Sequence, residues 1–192
     1  MKLRSTILFY LGLLSSASAA PSQTSEILGP VEVSKEFPSF GSYDLNGTYV
    51  SLDSLLSQNK IIVVSYFTTW CAPCREGLPI IEEIAQNDPD VIGVYIDLGE
   101  KSDTVKRMAS ELNLKSTIVI DKFQSVGKRH GVVIEGQEII LPRSFVLAAD
   151  GTVKTIFMIE GDDFRAELLA SIESTKTQTG TGEKEVVETK DK

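Results

Sequence analysis

The chain has 192 residues, 42% of them hydrophobic, which fits one domain with tails and is enough to bury a core. Its formal net charge is −8, with 27 acidic side chains against 19 basic ones. No basic patch and no nucleic-acid motif stands out, so no nucleic-acid partner is assigned, and the acidity is of the kind that keeps a domain soluble.

The first stretch reads as an address. Lys2 and Arg4 form a charged start, Ile7 to Leu14 an apolar core, and Ala17-Ser18-Ala19 a cleavage site. This pattern predicts a signal peptide over residues 1–19 and an exported protein of the periplasm or extracytoplasmic space. The apolar run is shorter than the ~20 residues needed to span a bilayer, which favours cleavage over a membrane anchor. No cysteine lies near the cleavage site, which argues against a lipid-modified N-terminus. Residues 20–36 are polar, contain Gly29-Pro30, and read as a linker or a first irregular strand.

The run from Phe40 to Leu52 predicts a hairpin turning at Asn46-Gly47, because both positions tolerate positive φ. Asn46-Gly47-Thr48 is also a glycosylation sequon, but the turn explains it adequately. Ile61 to Phe67 is mostly apolar and β-branched, as expected of a buried strand. Arg75 to Gln86 carries Leu78, Ile81, Ile84 and Ala85 at helical spacing. Val91–Asp97 reads as a second core strand. Ser102–Leu112 reads as a helix with Val105, Met108, Ala109 and Leu112 on one face and Ser102 or Asp103 at its cap. Thr117–Ile120 is a short β-branched run, followed by a short helix within Asp121–His130. Ser144–Ala148 and Val153–Met158 flank Asp150-Gly151 as a hairpin. A last helix presents Phe164, Leu168, Leu169 and Ile172, with Asp162 or Asp163 as cap. This order predicts an α/β domain with a central mixed sheet. Residues 174–192, rich in Thr, Glu, Lys and Gly, read as a disordered tail.

Both cysteines of the chain lie in Trp70-Cys71-Ala72-Pro73-Cys74, where the strand hands over to the helix. That position favours a thiolate at Cys71, because unpaired N–H groups and the helix dipole point at it. The thiolate is the reactive form, so Cys71 is the expected nucleophile and Cys74 the resolving thiol. Pro73 fits the first helical turn, where a missing N–H costs nothing. Pro79 is expected to kink the helix. A structural disulfide is the bland alternative, but two intervening residues close too small a loop to restrain the unfolded chain much.

The segment Phe67-Thr68-Thr69-Trp70-Cys71-Ala72-Pro73-Cys74-Arg75 resembles the active-site stretch of thioredoxin-fold proteins. With Asp44-Leu45-Asn46-Gly47, Val50-Ser51-Leu52, Leu141-Pro142-Arg143-Ser144-Phe145-Val146-Leu147 and Asp150-Gly151, it resembles more closely the exported TlpA/ResA-like thiol–disulfide oxidoreductases. The resemblance covers residues 37–173. It implies a thioredoxin-like fold with an N-terminal hairpin extension, a short helix at Asp53–Ser57, and a central insertion around Thr117–His130. It further implies a cis bond at Leu141-Pro142 beside the cysteines, a structural role for Pro79, and substrate contacts at Trp70, Ala72, Pro73, Leu141 and Pro142. Arg143 reads as an exposed arginine, with contact to an acidic partner as the alternative. The implied activity is reduction of protein disulfides in envelope proteins, apocytochrome c among them, with a membrane thiol donor and no cofactor. An oxidase or isomerase uses the same motif.

Two positions depart from the family. Thioredoxins carry a buried acid where this chain has Ser65, and many TlpA-like proteins carry a glutamate where it has Gly77. Glu76 is one residue away, rotated about 100° around the helix, so the proton carrier is unassigned. A Cu(I)-handling metallochaperone is the alternative from another class, with His130 as a third ligand. The cysteine spacing differs from that of such proteins, and Lys128-Arg129-His130 reads as a solvated helix end, so no metal is assigned. Peroxidase activity is a weaker alternative, because the peroxidatic motif is not found.

Overall fold

A computed structural model describes residues 31–158 and 161–180. The predicted signal peptide, residues 20–30 and residues 181–192 lie outside the described residues. Twelve elements follow in order: β1 (Gly41–Tyr43), β2 (Tyr49–Ser51), α1 (Leu52–Leu56), β3 (Ile61–Phe67), α2 (Ala72–Asn87), β4 (Val91–Asp97), α3 (Ser102–Glu111), β5 (Thr117–Ile120), α4 (Ser125–Arg129), β6 (Arg143–Leu147), β7 (Val153–Phe157) and α5 (Phe164–Gly180). The five long-range strands form one mixed sheet in the order β5-β4-β3-β6-β7. Strands β3, β4 and β5 run parallel, and β6 returns antiparallel to β3. This is the thioredoxin-like arrangement that the sequence predicts, with β1 and β2 as a separate hairpin.

Side-chain alternation along β3 builds the two sides of the core. Ile61, Val63 and Phe67 face a layer made by Leu78, Ile81 and Ile84 of α2, Val105 and Met108 of α3, and Leu168 and Ile172 of α5. Ile62, Val64 and Tyr66 face the other layer, with Phe37, Phe40, Leu52, Leu55, Val126 and Phe145. Every residue of β3 is buried. Each such large apolar side chain contributes about 1.5–3 kcal/mol on burial.

Local chemistry shifts several predicted details. The hairpin turns through five residues, and Gly47 alone of the Asn46-Gly47 pair adopts positive φ. The Asp44 carboxylate accepts from the Asn46 and Thr48 amides, which closes a wider loop than a two-residue turn. Helix α1 begins one residue earlier than predicted because Ser51 and Ser54 form a capping box. On α3 the cap is Lys101, without a side-chain bond, rather than Ser102 or Asp103. Within the described part of the predicted 20–36 linker, the chain is held against the sheet. Ser34 and Phe37 donate to the Val153 and Gly151 carbonyls, and Val153 donates to Lys35, so this stretch pairs beside the start of β7.

The predicted tail boundary at 174 is also corrected. Helix α5 runs on to Gly180 although residues 174–180 lack large apolar side chains. Thr175 is buried there, and Lys176 reaches the Asp88 carboxylate at 2.5 Å and Glu173 at 3.1 Å. Polar contacts back to the end of α2 thus extend a helix that hydrophobic periodicity would end at Ile172.

Candidate active site

Strand β3 delivers the chain to the cysteines, and α2 begins between them. Cys71 is the N-cap of α2, and Cys71 and Cys74 form a disulfide with Cα atoms 5.3 Å apart. The Cys74 amide donates to the Cys71 sulfur at 3.3 Å. A thiolate at Cys71 therefore sits on a first-turn N–H and at the positive end of the helix dipole. Cys74 is completely covered, while Cys71 is 5% exposed. Cys71 therefore reaches solvent only through a narrow window, and it is the outer of the two cysteines. Trp70 stands beside it at 70% exposure, and Ala72 and Pro73 are exposed as well. Helix α2 runs unbroken through Pro79.

The strand register assembles the rest. Arg143 pairs with Tyr66 across β3 and β6, so Pro142 lies level with Phe67, just before the cysteine loop. The Leu141-Pro142 bond is cis, and Leu141 packs against the cluster that contains both cysteines. On the other side of β3, Asp97 of β4 pairs with Phe67. The turn after β4 then reaches back to the cysteine loop. The Glu100 carboxylate accepts from the Thr69 amide at 2.5 Å and the Thr69 hydroxyl at 2.7 Å. No sequence motif announces this clamp, which lies two residues before Cys71.

Asp97 is fully buried. Its Oδ2 accepts from the Gly99 and Glu100 amides at 3.0 and 2.8 Å. Its Oδ1 and the nearby Thr68 hydroxyl are buried without a hydrogen-bond partner among the described residues. Burial raises the Asp97 pKa to about 7, against the two amides, and the neighbouring Glu100 carboxyl pushes in the same direction as burial. Ser65, in the position of the family's acid, accepts from the Ser144 hydroxyl at 2.8 Å and carries no titratable group.

A second buried acid, Glu82, lies on the same side of the sheet and serves a different purpose. It accepts from the Lys115 and Ser116 amides, the Gln86 side chain and the Tyr95 hydroxyl. Burial alone would raise its pKa, but these donors outweigh it and hold the carboxyl below its ordinary value. Glu82 thereby pins the loop before β5 to α2. Its place one turn after Leu78, on the apolar stripe, was the available sequence clue.

Three sequence expectations fall on the opposite side or at the surface. His130 is buried rather than solvated. Its Nε2 donates to the Pro38 carbonyl at 2.8 Å, which leaves Nδ1 to accept from the Tyr66 hydroxyl. Burial, with some help from Arg129, lowers its pKa to about 4. This places His130 in the layer behind β3, away from the cysteines, and removes it as a third ligand for a soft metal. Among the described residues no group of three potential metal ligands comes together. Arg143 is half-buried, not exposed, and donates to the Gly131 carbonyl at 3.0 Å. Glu76 is exposed on α2 and takes no part in the buried site.

Comparison with known proteins agrees with this geometry. The redoxin family model matches residues 32–167. The thiol-disulfide oxidoreductase ResA of Bacillus thuringiensis is 30% identical over 140 residues, covering 72% of this chain and 75% of that protein. A candidate protein disulfide isomerase from Bacteroides thetaiotaomicron superposes with a TM-score of 0.67 at 19% identity, over 79% of this chain and 94% of that one. A secreted disulfide oxidoreductase of Mycobacterium tuberculosis superposes with a TM-score of 0.59 at 24% identity, over 70% and 95% of the two chains. At these identities the two structures speak for the fold alone. A cysteine pair at the head of α2, the matched family model and the ResA relative together place this chain in the redoxin family, as a thiol–disulfide oxidoreductase of the thioredoxin fold.

Proposed function

We propose that the protein is an exported reductant of protein disulfides. The observation that supports attack on a substrate disulfide is the Cys71 sulfur held on the first-turn N–H of α2, which favours the attacking thiolate, while the reducing direction rests on the resemblance to the TlpA/ResA-like proteins. In the reduced enzyme the Cys71 thiolate attacks a substrate disulfide, one substrate sulfur leaves as a thiol, and a mixed disulfide forms. Cys74 then attacks the Cys71 sulfur, releases the second substrate thiol and restores the Cys71–Cys74 bond. Two electrons pass from enzyme to substrate. A dithiol donor at the membrane returns them.

Trp70, Ala72, Pro73, Leu141 and Pro142 form the substrate contact. The exposed tryptophan supplies apolar area, and backbone at the start of β6 pairs with an extended substrate segment. Export is supported by the charged start, apolar run and Ala17-Ser18-Ala19 of the sequence. Among the described residues no helix is long and apolar enough to cross a membrane. Residues 1–19 are the signal peptide, residues 37–173 hold the catalytic domain, and apocytochrome c is a candidate substrate.

The reduction potential of the Cys71/Cys74 couple tests the direction. A value at or below about −250 mV, together with reduction of insulin disulfides, is expected. A value near about −120 mV would make the protein an oxidant and overturn the reading.

A further inference from the structure

Resolution of the mixed disulfide on Cys71 requires Cys74 to lose its proton, and Cys74 has no exposure to bulk water. Ser65 cannot take that proton. Strand alternation sorts the buried titratable groups. Tyr66 and His130 belong to the layer behind β3, and the cysteines to the layer in front. Tyr95, in front, donates to Glu82 at 3.0 Å, and Glu82 is held ionised by its amide donors. Asp121 accepts from the Gly127 amide at 2.7 Å and the Ser125 hydroxyl at 3.3 Å.

Asp97 is left. It is level with Phe67, and like Tyr95 two residues earlier it projects to the cysteine side of the sheet. One of its oxygens is engaged by two amides, and the other is buried without a partner among the described residues, as is the Thr68 hydroxyl. The Thr68 carbonyl in turn accepts from the Cys71 amide at 3.2 Å. We infer that Asp97 is the proton store of the dithiol, an acid moved from β3 to β4, which takes up the Cys74 proton while the mixed disulfide is resolved. The substrate step rests on the reductase reading above.

The Asp97 carboxylate accepts the Cys74 proton, and the Cys74 thiolate attacks the Cys71 sulfur. The bond from Cys71 to the substrate breaks as the Cys71–Cys74 bond forms. The departing substrate thiolate takes a proton from the Asp97 carboxylic acid or from water. Re-reduction by the dithiol donor runs the same transfers backwards. Of the charged neighbours, the Glu100 carboxyl interacts with Asp97 directly and favours its protonated form. Glu100, on its own loop, is tied to Thr69. From the β5 side, the Asp121 carboxylate is directed to α4, and Lys122 is exposed. On α2, Arg75 pairs with Glu111 of α3 at 2.9 Å. The redox partners themselves, Cys71 and Cys74, complete the set.

Asp97→Asn tests this directly, because an amide oxygen still accepts from Gly99 and Glu100 but binds no proton. The readout is the rate at which Cys74 releases a small thiol from a Cys71 mixed disulfide, measured between about pH 5 and 9. The wild-type rate should rise through an inflection near 7. The variant should lose that inflection and be about 100-fold slower at pH 7. An unchanged rate and profile would overturn the assignment. A second measurement needs neither variant nor substrate: the Asp97 carboxyl carbon is titrated by NMR in the oxidised and the reduced protein. The two midpoints should differ, since dithiol and carboxyl share protons; identical midpoints would overturn the proposal. Failure to reduce insulin with a redox-dependent Asp97 midpoint would count against the reductase reading and leave the proton store standing.

Discussion

Two buried titratable groups on opposite sides of the central sheet, His130 and Asp97, are treated in opposite ways. Behind β3, Tyr66, His130 and the Pro38 carbonyl form a chain in which both ring nitrogens of the histidine are used. In front, on the side of the sheet that holds the cysteines, Asp97 keeps one oxygen without a partner among the described residues. A satisfied network fixes the fold, whereas an unsatisfied acid is held at a cost that makes sense where a proton must move. The difference separates the half of the molecule that is scaffold from the half that reacts.

Removing the outer sulfur should give the largest effect. Cys71→Ser is expected to abolish disulfide reduction while the protein still unfolds cooperatively, since so small a loop adds little stability. Insulin turnover and urea unfolding measured on the same sample would check both halves, and retained turnover would contradict the assignment of the nucleophile.

Acid should pull the two sides in opposite directions. The folded pKa of His130, about 4, lies below its ordinary 6.5, so its contribution is fully present above pH 6.5 and is lost as pH falls toward 4, by roughly 3 kcal/mol. The folded pKa of Asp97, about 7, lies above its ordinary 3.8, so its contribution is present at low pH and is lost as pH rises through 7, by roughly 4 kcal/mol. In the wild type these two contributions should largely offset one another between pH 4 and 7, leaving a small net loss as pH rises. Asp97→Asn should expose a loss of stability on acidification, and His130→Gln a gain. Urea midpoints at several pH values would read both slopes, and parallel slopes in the two variants would contradict the contrast.

Within the front layer, Glu82 is the satisfied counterpart of Asp97. Glu82→Gln should cost about 2 kcal/mol, because amides of Lys115 and Ser116 lose a charged acceptor. Thermal unfolding would measure it, and protection of those two amides from hydrogen exchange should fall. The smallest effect is expected at the end of α5, where Lys176→Ala should cost about 0.5 kcal/mol and fray the helix C-terminal to Glu173.

Much of the scaffold was legible because strands in a parallel sheet advertise themselves. Ile61–Phe67, Val91–Asp97 and Thr117–Ile120 are apolar, β-branched runs, and all three occur where the pattern places them. The cysteine pair was equally plain, being a local motif at a strand–helix junction. Lys128 and Arg129 make His130 resemble a solvated helix end, while its partners Pro38 and Tyr66 lie 92 and 64 residues away. Asp97 and Glu100 are illegible in the sequence for a related reason. A carboxylate closing a strand resembles any turn acid until register sets it beside Phe67 and Thr69. The extension of α5 had no apolar periodicity to announce it.

The pairing of Ser34 and Phe37 with residues Val153 and Gly151 fixes where the chain enters the domain. Strand β7 runs parallel to β3, so its beginning lies at the end of the sheet remote from the cysteines, a strand's length or about 20 Å away. Anything that holds the protein by its leading end, a lipid surface or a translocation pore, would therefore grip the butt of the molecule. The reactive sulfurs would point outward from that anchorage, toward clients approaching from the open side.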